Sequence, residues 1–135
     1  MDTRVLRFKP GQDLMDEINN CLAAENIKAG VVLSCVGSLT HANLRLANQE
    51  TGSVFAGYFE IVSLVGTLST AGSHLHLSIS DEKGQTLGGH LLPGCKIYTT
   101  AELVLGVFPE LRFEREDCAL SGSPELKVYS SNQSD

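Results

Sequence analysis

The sequence has no tryptophan, and its four cysteines include no closely spaced pair. The absence of a CxxC motif excludes the ligand spacing typical of zinc ribbons and of thioredoxin-like redox sites. A domain of 135 residues does not need disulfides to fold. We therefore expect reduced, mostly buried thiols at these four positions, which are Cys21, Cys35, Cys95 and Cys118.

Long hydrophobic runs are also missing. The most apolar stretches are too short to cross a bilayer, and the opening residues, MDTRVLRFKPGQ, lack the charged start and apolar run of a secretory leader. We therefore expect a soluble protein with no membrane partner. Its expected location is cytoplasmic, or nuclear if the source is a eukaryote.

Positive charge is scarce and scattered. Ten Lys and Arg residues against sixteen Asp and Glu residues give a formal net charge of −6, and the chain has no run of basic residues. Proteins bind nucleic acids chiefly by neutralising phosphates with basic side chains. Direct nucleic-acid binding by this chain alone is therefore disfavoured.

The patterns that are present predict one α+β domain. The segment DLMDEINNCLAAENI has helical periodicity, with Asp13 as N-cap and Gly30 as the residue that ends the helix. Short β-branched and alternating runs account for most of the remaining chain. We predict a mainly antiparallel sheet of about seven strands with one N-terminal helix packed on it, in residues 1–120, followed by a polar, flexible tail in residues 121–135. The apolar face of the helix is predicted to contain Met15, Ile18, Leu22 and Ala23.

The segment SHLHLSISDEKGQTLGGHLL predicts a β-hairpin with a defined register. A three-residue loop that places Gly84 in the left-handed conformation sets Asp81 opposite Gln85. Counting back from the loop gathers the leucines and isoleucine on one face. The same count pairs His76 with His90 on the other face.

Three histidines can converge on the polar face of this hairpin. His74 lies two residues from His76 on the same face, so His74, His76 and His90 form a candidate metal site. Three neutral imidazoles suit zinc and leave one tetrahedral position open, although nickel, copper and iron remain alternatives. The competing interpretation is a polar strand face without a metal. His41 is expected to be an ordinary surface residue in a turn.

Two further features near the histidines have alternative interpretations. Gly88 and Gly89 interrupt a strand, where they would either leave room for a bound cofactor or ligand or mark a bulge. Glu102 is an acid within an apolar strand, and it is either a catalytic base or metal-orienting group, or a residue of an exposed face or structural ion pair. Glu60 has the same two interpretations.

Three blocks of the sequence resemble the plants-and-prokaryotes conserved (PPC) domain, which follows AT-hook motifs in plant nuclear proteins and stands alone in bacteria and archaea. The blocks are GYFEIVSLVGTLS at 57–69, HLHLSISDEKGQTLGGHLLPG at 74–94 and TTAELVL at 99–105, and the resemblance extends to about residue 118. It implies an antiparallel sheet with a packed helix, and a homotrimer. In stand-alone prokaryotic members the G-x-H-x-H and G-G-H histidines are associated with a bound metal, which implies that role for His74, His76 and His90.

The resemblance also bears on DNA binding. Plant members generally lack these histidines, and their R-G-R-P hook supplies the minor-groove contact, but this chain has no such hook. The leading hypothesis is therefore a trimeric zinc-binding domain with an open coordination site for a small molecule or protein. The alternatives are a DNA-associated or transcription-related assembly module, a zinc-dependent hydrolase or lyase, and a metal-stabilised scaffold.

Overall fold

Eight strands and one helix make up residues 1–133, which are the residues that the computed structural model describes. The elements in chain order are β1 (Asp2–Phe8), α1 (Leu14–Glu25), β2 (Gly30–Arg45), β3 (Ser53–Leu68), β4 (His74–Ser80), β5 (Thr86–Leu91), β6 (Lys96–Val107), β7 (Leu111–Asp117) and β8 (Pro124–Ser130). This arrangement confirms the predicted α+β class with one helix on an antiparallel sheet. No helix among the described residues is long and apolar enough to span a membrane.

Six of the strands form one antiparallel sheet in the order β1-β6-β2-β3-β4-β5. The sheet curls back on itself, because β5 also pairs with the end of β2 through Leu44 with Leu91 and Arg45 with His90. Strands β2, β3, β4 and β5 consequently form a closed ring. Closure gives β5 strand neighbours on both edges, namely β4 and β2.

Strand β2 spans two apolar segments of the sequence. VVLSCVGSL at 31–39 lies within its 16 residues, as do the first four residues of ANLRLAN, at 42–45. Register shifts between Leu39 and His41 interrupt its pairing with β3 and β6, but the ladder resumes beyond them. A bulge allows a long strand to bend sharply without ending. The bend allows the end of β2 to meet β5.

The helix α1 begins as predicted and ends earlier than predicted. Asp13 is the N-cap, and its carboxylate accepts a hydrogen bond from the Asp16 backbone N–H at 3.0 Å. The second carboxylate oxygen accepts from the Gly94 backbone N–H at 2.6 Å, which ties the start of the helix to the loop after β5. Asn26, in the left-handed conformation with φ 50°, ends the helix before Gly30 is reached. Asparagine tolerates this conformation better than most residues because its short side chain can hydrogen-bond locally.

The hydrophobic core lies between α1 and the inner face of the curled sheet. Ile18 and Leu22 are buried as the periodicity predicts, and Leu14 is buried with them, whereas Ala23 is exposed. From the hairpin, Leu75, Leu77 and Ile79 point into the same core. The face of the hairpin that is opposite the histidines therefore belongs to the same core as the buried face of the helix.

The segment after Ser121 contains an ordered strand, which corrects the expectation of a flexible tail there. Strand β8 pairs with β7 along its full length in a separate two-stranded sheet. Tyr129 is buried, donates a hydrogen bond to Glu116 at 2.6 Å, and has the Arg112 guanidinium 4.5 Å from its ring centroid. Because residues 121–135 are mostly polar, nothing in the sequence indicates that Tyr129, their one aromatic residue, is buried. Ser134 and Asp135, the end of the predicted tail, lie outside the described residues.

Candidate metal centre

A tight turn fixes the register of the β4–β5 hairpin. Gly84 has φ 78°, and its backbone N–H donates to the Asp81 carbonyl at 3.0 Å. The Asp81 backbone N–H donates to the Gln85 carbonyl at 2.9 Å, while the Asp81 carboxylate accepts from the backbone N–H groups of Lys83 and Gln85. The left-handed glycine that the sequence predicts is therefore present. An Asp side chain stabilises the loop from inside.

The predicted pairing of His76 with His90 is confirmed. Ser78 pairs with Gly88 in the same ladder, and Leu77 with Gly89. His76 also has Val65 of β3 on its other edge. The two histidines therefore lie on paired strands, with their backbone held from both sides.

The three imidazoles converge on one point of the surface. One potential ligand atom from each of His74, His76 and His90 lies within 4.8 Å of the others. The Nε2 atoms of His74 and His76 are 3.1 Å apart, which allows a hydrogen bond between the two rings. Two nitrogens bound to a tetrahedral zinc ion at about 2.0–2.1 Å would lie about 3.3 Å apart. The spacing of this pair therefore fits a shared metal ion with little movement.

The electrostatic surroundings favour neutral imidazoles. Partial desolvation, followed by the nearby charges of His76 and Arg115, lowers the pKa of His74. Desolvation also lowers the pKa of His90, with Arg45 as the next cause. Metals bind the neutral ring, so these shifts favour the binding form of His74 and His90.

His90 has a ring nitrogen without a partner. Its Nδ1 atom is buried and makes no hydrogen bond to any described residue. A buried polar atom normally has a partner, and one left without a partner is costly. This atom and the close histidine pair are what a three-histidine metal site would use, so the residues fit a metal ion.

A cleft of about 750 Å³ adjoins the histidines. Its wall includes His76, His90, Gly88 and Gly89, and Arg45 stands at the junction of β2 and β5. The volume falls within the range of small-molecule sites. Sequence reasoning missed Arg45, because only the β2–β5 pairing brings it to the cleft and the sequence pattern does not indicate that pairing.

Gly88 and Gly89 line this cleft, but neighbouring strands crowd both positions. A Cβ atom on Gly88 would lie 2.8 Å from the Leu77 carbonyl oxygen, and one on Gly89 would lie 2.7 Å from that of Arg45. Glycine is therefore required where β5 approaches β4 and β2 closely. Close strand approach explains both glycines without a ligand, and their predicted role in cofactor binding stays a prediction.

Glu102 is not brought to the histidines. It is exposed on β6, between Arg7 of β1 and Val36 of β2, and it is absent from the cleft wall. The exposed-face alternative describes this position better than a catalytic base does. Glu60 is likewise exposed, on β3, and pairs with Ser38 and Ser80.

The remaining candidate residues have ordinary surroundings. His41 is exposed, in β2 rather than in a turn, and its Nδ1 lies 3.0 Å from the Thr40 hydroxyl. All four cysteines are free thiols. Cys95 is buried, while Cys21, Cys35 and Cys118 are only half-buried, so the expectation of mostly buried thiols is only partly correct.

Known proteins share both this sequence and this fold. The chain is 49% identical over 123 residues to a bifunctional GlmU protein from Synechococcus, a match that covers 91% of this chain and 20% of that protein. The chain thus spans about a fifth of the length of the curated relatives it matches.

Two solved structures extend the comparison. A hypothetical protein from Salmonella cholerae-suis is 43% identical and superposes with a TM-score of 0.95, covering 96% of this chain and 94% of that one. A metal-containing protein from Archaeoglobus fulgidus is 25% identical with a TM-score of 0.78, covering 93% and 92%. The family model of the Plants and Prokaryotes Conserved (PCC) domain matches residues 1–109. The chain therefore belongs to the Plants and Prokaryotes Conserved domain family.

Proposed function

We propose that this chain is a homotrimeric zinc-binding domain whose metal ion keeps one coordination position open for a small ligand. The observation that carries the proposal is the convergence of His74, His76 and His90, whose ligand atoms lie within 4.8 Å of one another. Three protein ligands leave the fourth tetrahedral position to water or a bound molecule. The cleft beside the histidines supplies space for such a molecule.

Zinc is the ion that best suits this ligand set. Zinc binds imidazole nitrogen readily. Its d electrons impose no preferred coordination geometry, so three histidines placed by two strands can serve as its ligands. The metal-containing relative from Archaeoglobus fulgidus supports a metal in this fold. A zinc ion held here would act as a Lewis acid and lower the pKa of a bound water to about 7. The residues of this chain would hold the ion and shape the approach to it.

The homotrimer is supported by apolar side chains exposed on β3. Val54, Tyr58, Val62 and Val65 are each more than half exposed in the single chain. Exposed apolar surface of this kind marks contacts between proteins. Val65 also pairs with His76, so a subunit packed on β3 would lie close to the histidine cluster.

Direct DNA binding is not part of the proposal. The net charge of −6 opposes association with a polyanion, and the sequence contains no run of basic residues. A role in DNA-associated assembly would require a partner that supplies the phosphate contacts.

The test is the metal content of untagged protein, measured by elemental analysis before and after zinc supplementation. We expect about one zinc ion per chain, and its loss in the His76→Ala variant. His41→Ala is the matched control, because His41 is exposed and lies outside the cluster. Absence of metal from the supplemented wild type would overturn zinc binding. Light scattering gives the assembly size, and a mass other than three times 14.5 kDa would overturn the trimer.

A further inference from the structure

The cleft beside the histidines has an unusual charge balance for this chain. The protein has six more acidic than basic residues, as sixteen Asp and Glu against ten Lys and Arg. Among the described residues, however, no Asp or Glu lines the cleft, which contains one arginine, Arg45, and two histidines. A wall without carboxylates, on an acidic protein, favours a ligand that carries negative charge.

Arg45 is placed to meet such a ligand. Its backbone pairs with His90 at the point where β5 closes on β2, so its side chain starts next to the histidine cluster. The side chain is exposed, and the ion pairs among residues 1–133 are Arg4 with Glu25 and Arg112 with Glu114, neither of which involves Arg45. The guanidinium of Arg45 therefore has no carboxylate to neutralise it within the described chain.

Arg45 lies beside the same space as the histidines. It lines the cleft together with His76 and His90, whereas Glu125 is absent from the cleft wall. The positive charge of Arg45 therefore belongs to the same space as the candidate metal centre.

We propose that this cleft binds a small carboxylate-bearing molecule, with its carboxylate paired to Arg45 and another polar group directed at the histidine cluster. Arginine presents a planar fork of N–H donors that matches the two oxygens of a carboxylate. The part of the ligand that approaches the histidines rests on the proposed metal function, whereas the pairing with Arg45 does not.

The neutral polar wall favours a carboxylate over a phosphate. Asn48, Gln49, Ser63 and Ser78 line the cleft and offer hydrogen bonds without charge. A phosphate group carries a charge of about −1.5 to −2 at neutral pH, which one guanidinium would leave partly unbalanced. A single carboxylate matches a single arginine.

The experiment measures binding to the full chain by calorimetry and ligand-observed NMR, both without metal and after loading with zinc. The probes are acetate, succinate, 2-oxoglutarate and benzoate at millimolar concentration, with succinamide as the neutral analogue and inorganic phosphate as the alternative anion. Arg45→Gln removes the charge and Arg45→Lys keeps it without the fork. Arg7→Gln is the control, since Arg7 lies on β1, opposite Glu102 and away from the cleft.

We expect at least one carboxylate to bind the wild type and Arg7→Gln, with affinity about tenfold weaker in Arg45→Gln and intermediate in Arg45→Lys. Zinc content, measured in parallel, should not change in the Arg45 variants. Three results would each overturn the inference: no carboxylate binding in either metal state, equal binding by Arg45→Gln, or binding of phosphate or succinamide in preference to the carboxylates. If the wild type holds no zinc but the metal-free protein binds a carboxylate through Arg45, the proposed metal function fails while this inference stands.

Discussion

Arg45, the last residue of β2, is the ladder partner of His90 in β5. His90 is paired on its opposite edge with His76, so this one residue lies between the end of β2 and β4, the strand that carries the other two histidines. The position of His90 therefore depends on two strands. A substitution that displaces β2 or β4 is therefore expected to move His90 relative to the other two histidines.

Glu102 provides a test of how far the candidate site extends. Because its side chain is exposed between Arg7 and Val36 rather than beside the histidines, Glu102→Gln should leave zinc content and carboxylate binding unchanged. Elemental analysis and calorimetry on the variant measure both. A loss of zinc comparable to that of His76→Ala would return Glu102 to the site as a group that orients the metal ligands.

The exposed row on β3 predicts a variant that separates the subunits. Val62 is 56% exposed in the single chain, and Val62→Glu would bury an unpaired carboxylate if this surface is a contact. We expect monomers by light scattering, with the far-ultraviolet circular dichroism of the wild type. Val128→Glu, an exposed valine on β8, should stay assembled. An intact trimer of Val62→Glu would exclude this surface as the subunit contact.

Gly89 predicts a cost for adding a single methyl group. Its Cβ would lie 2.7 Å from the carbonyl oxygen of Arg45, so Gly89→Ala must push β5 away from β2. Overpacking of this kind lowers the free energy of unfolding by about 1–3 kcal/mol, which urea denaturation can resolve.

A second glycine serves as the control for this experiment. Gly84 has φ 78° with open space around it, and asparagine tolerates that conformation, so Gly84→Asn should cost less than about 1 kcal/mol. Unchanged stability of Gly89→Ala would mean that the β2–β5 contact is looser than the structure shows.

The cysteines should differ in reactivity. Hydrogen bonds from Ser121, through its backbone and then its side chain, lower the pKa of Cys118, whereas burial raises the pKa of Cys35 and Cys95 to about 11. The thiolate is the nucleophile, and a lower pKa gives a larger thiolate fraction at any pH below it. Iodoacetamide at mildly alkaline pH should therefore modify Cys118 first, as followed by peptide mass spectrometry.

The Cys118→Ser variant identifies the rapidly modified thiol. It should lose the fast phase of alkylation while the other cysteines keep their rates. If Cys95 reacts in the native protein as fast as Cys118, then the region around Cys95 opens to solvent more often than its burial indicates.

The histidine hairpin could be predicted to the residue because two local signals agree. Gly84 sets the turn, and the alternation of Leu75, Leu77 and Ile79 allows only one register to bury the apolar side chains. Both signals are contained in about twenty consecutive residues. Asp13 was predictable as a helix cap for the same reason, because a cap is defined by its immediate neighbours.

The parts that escaped prediction depend on contacts between distant segments. No local pattern shows that the end of β2 meets β5, so Arg45 could not be assigned to the site. Strand β8 lies within a polar segment, and its order depends on pairing with β7 and on the buried Tyr129. Glu102 could be placed on a strand, but its neighbours across the sheet could not be inferred from its own segment.

Closure of the strand ring has a consequence for how an ion would be taken up. His76 and His90 each have paired strands on both sides, so their backbone is ordered by the protein's own hydrogen bonds. In small zinc domains the chain is unfolded without its ion, and part of the binding free energy is used to order it. In this protein strand pairing orders the backbone of His76 and His90 without an ion, so the binding free energy is not needed to order it. A domain with such an ordered backbone could lose and rebind its metal ion while folded. The availability of metal would then determine the chemistry of the site and not whether the protein stays folded.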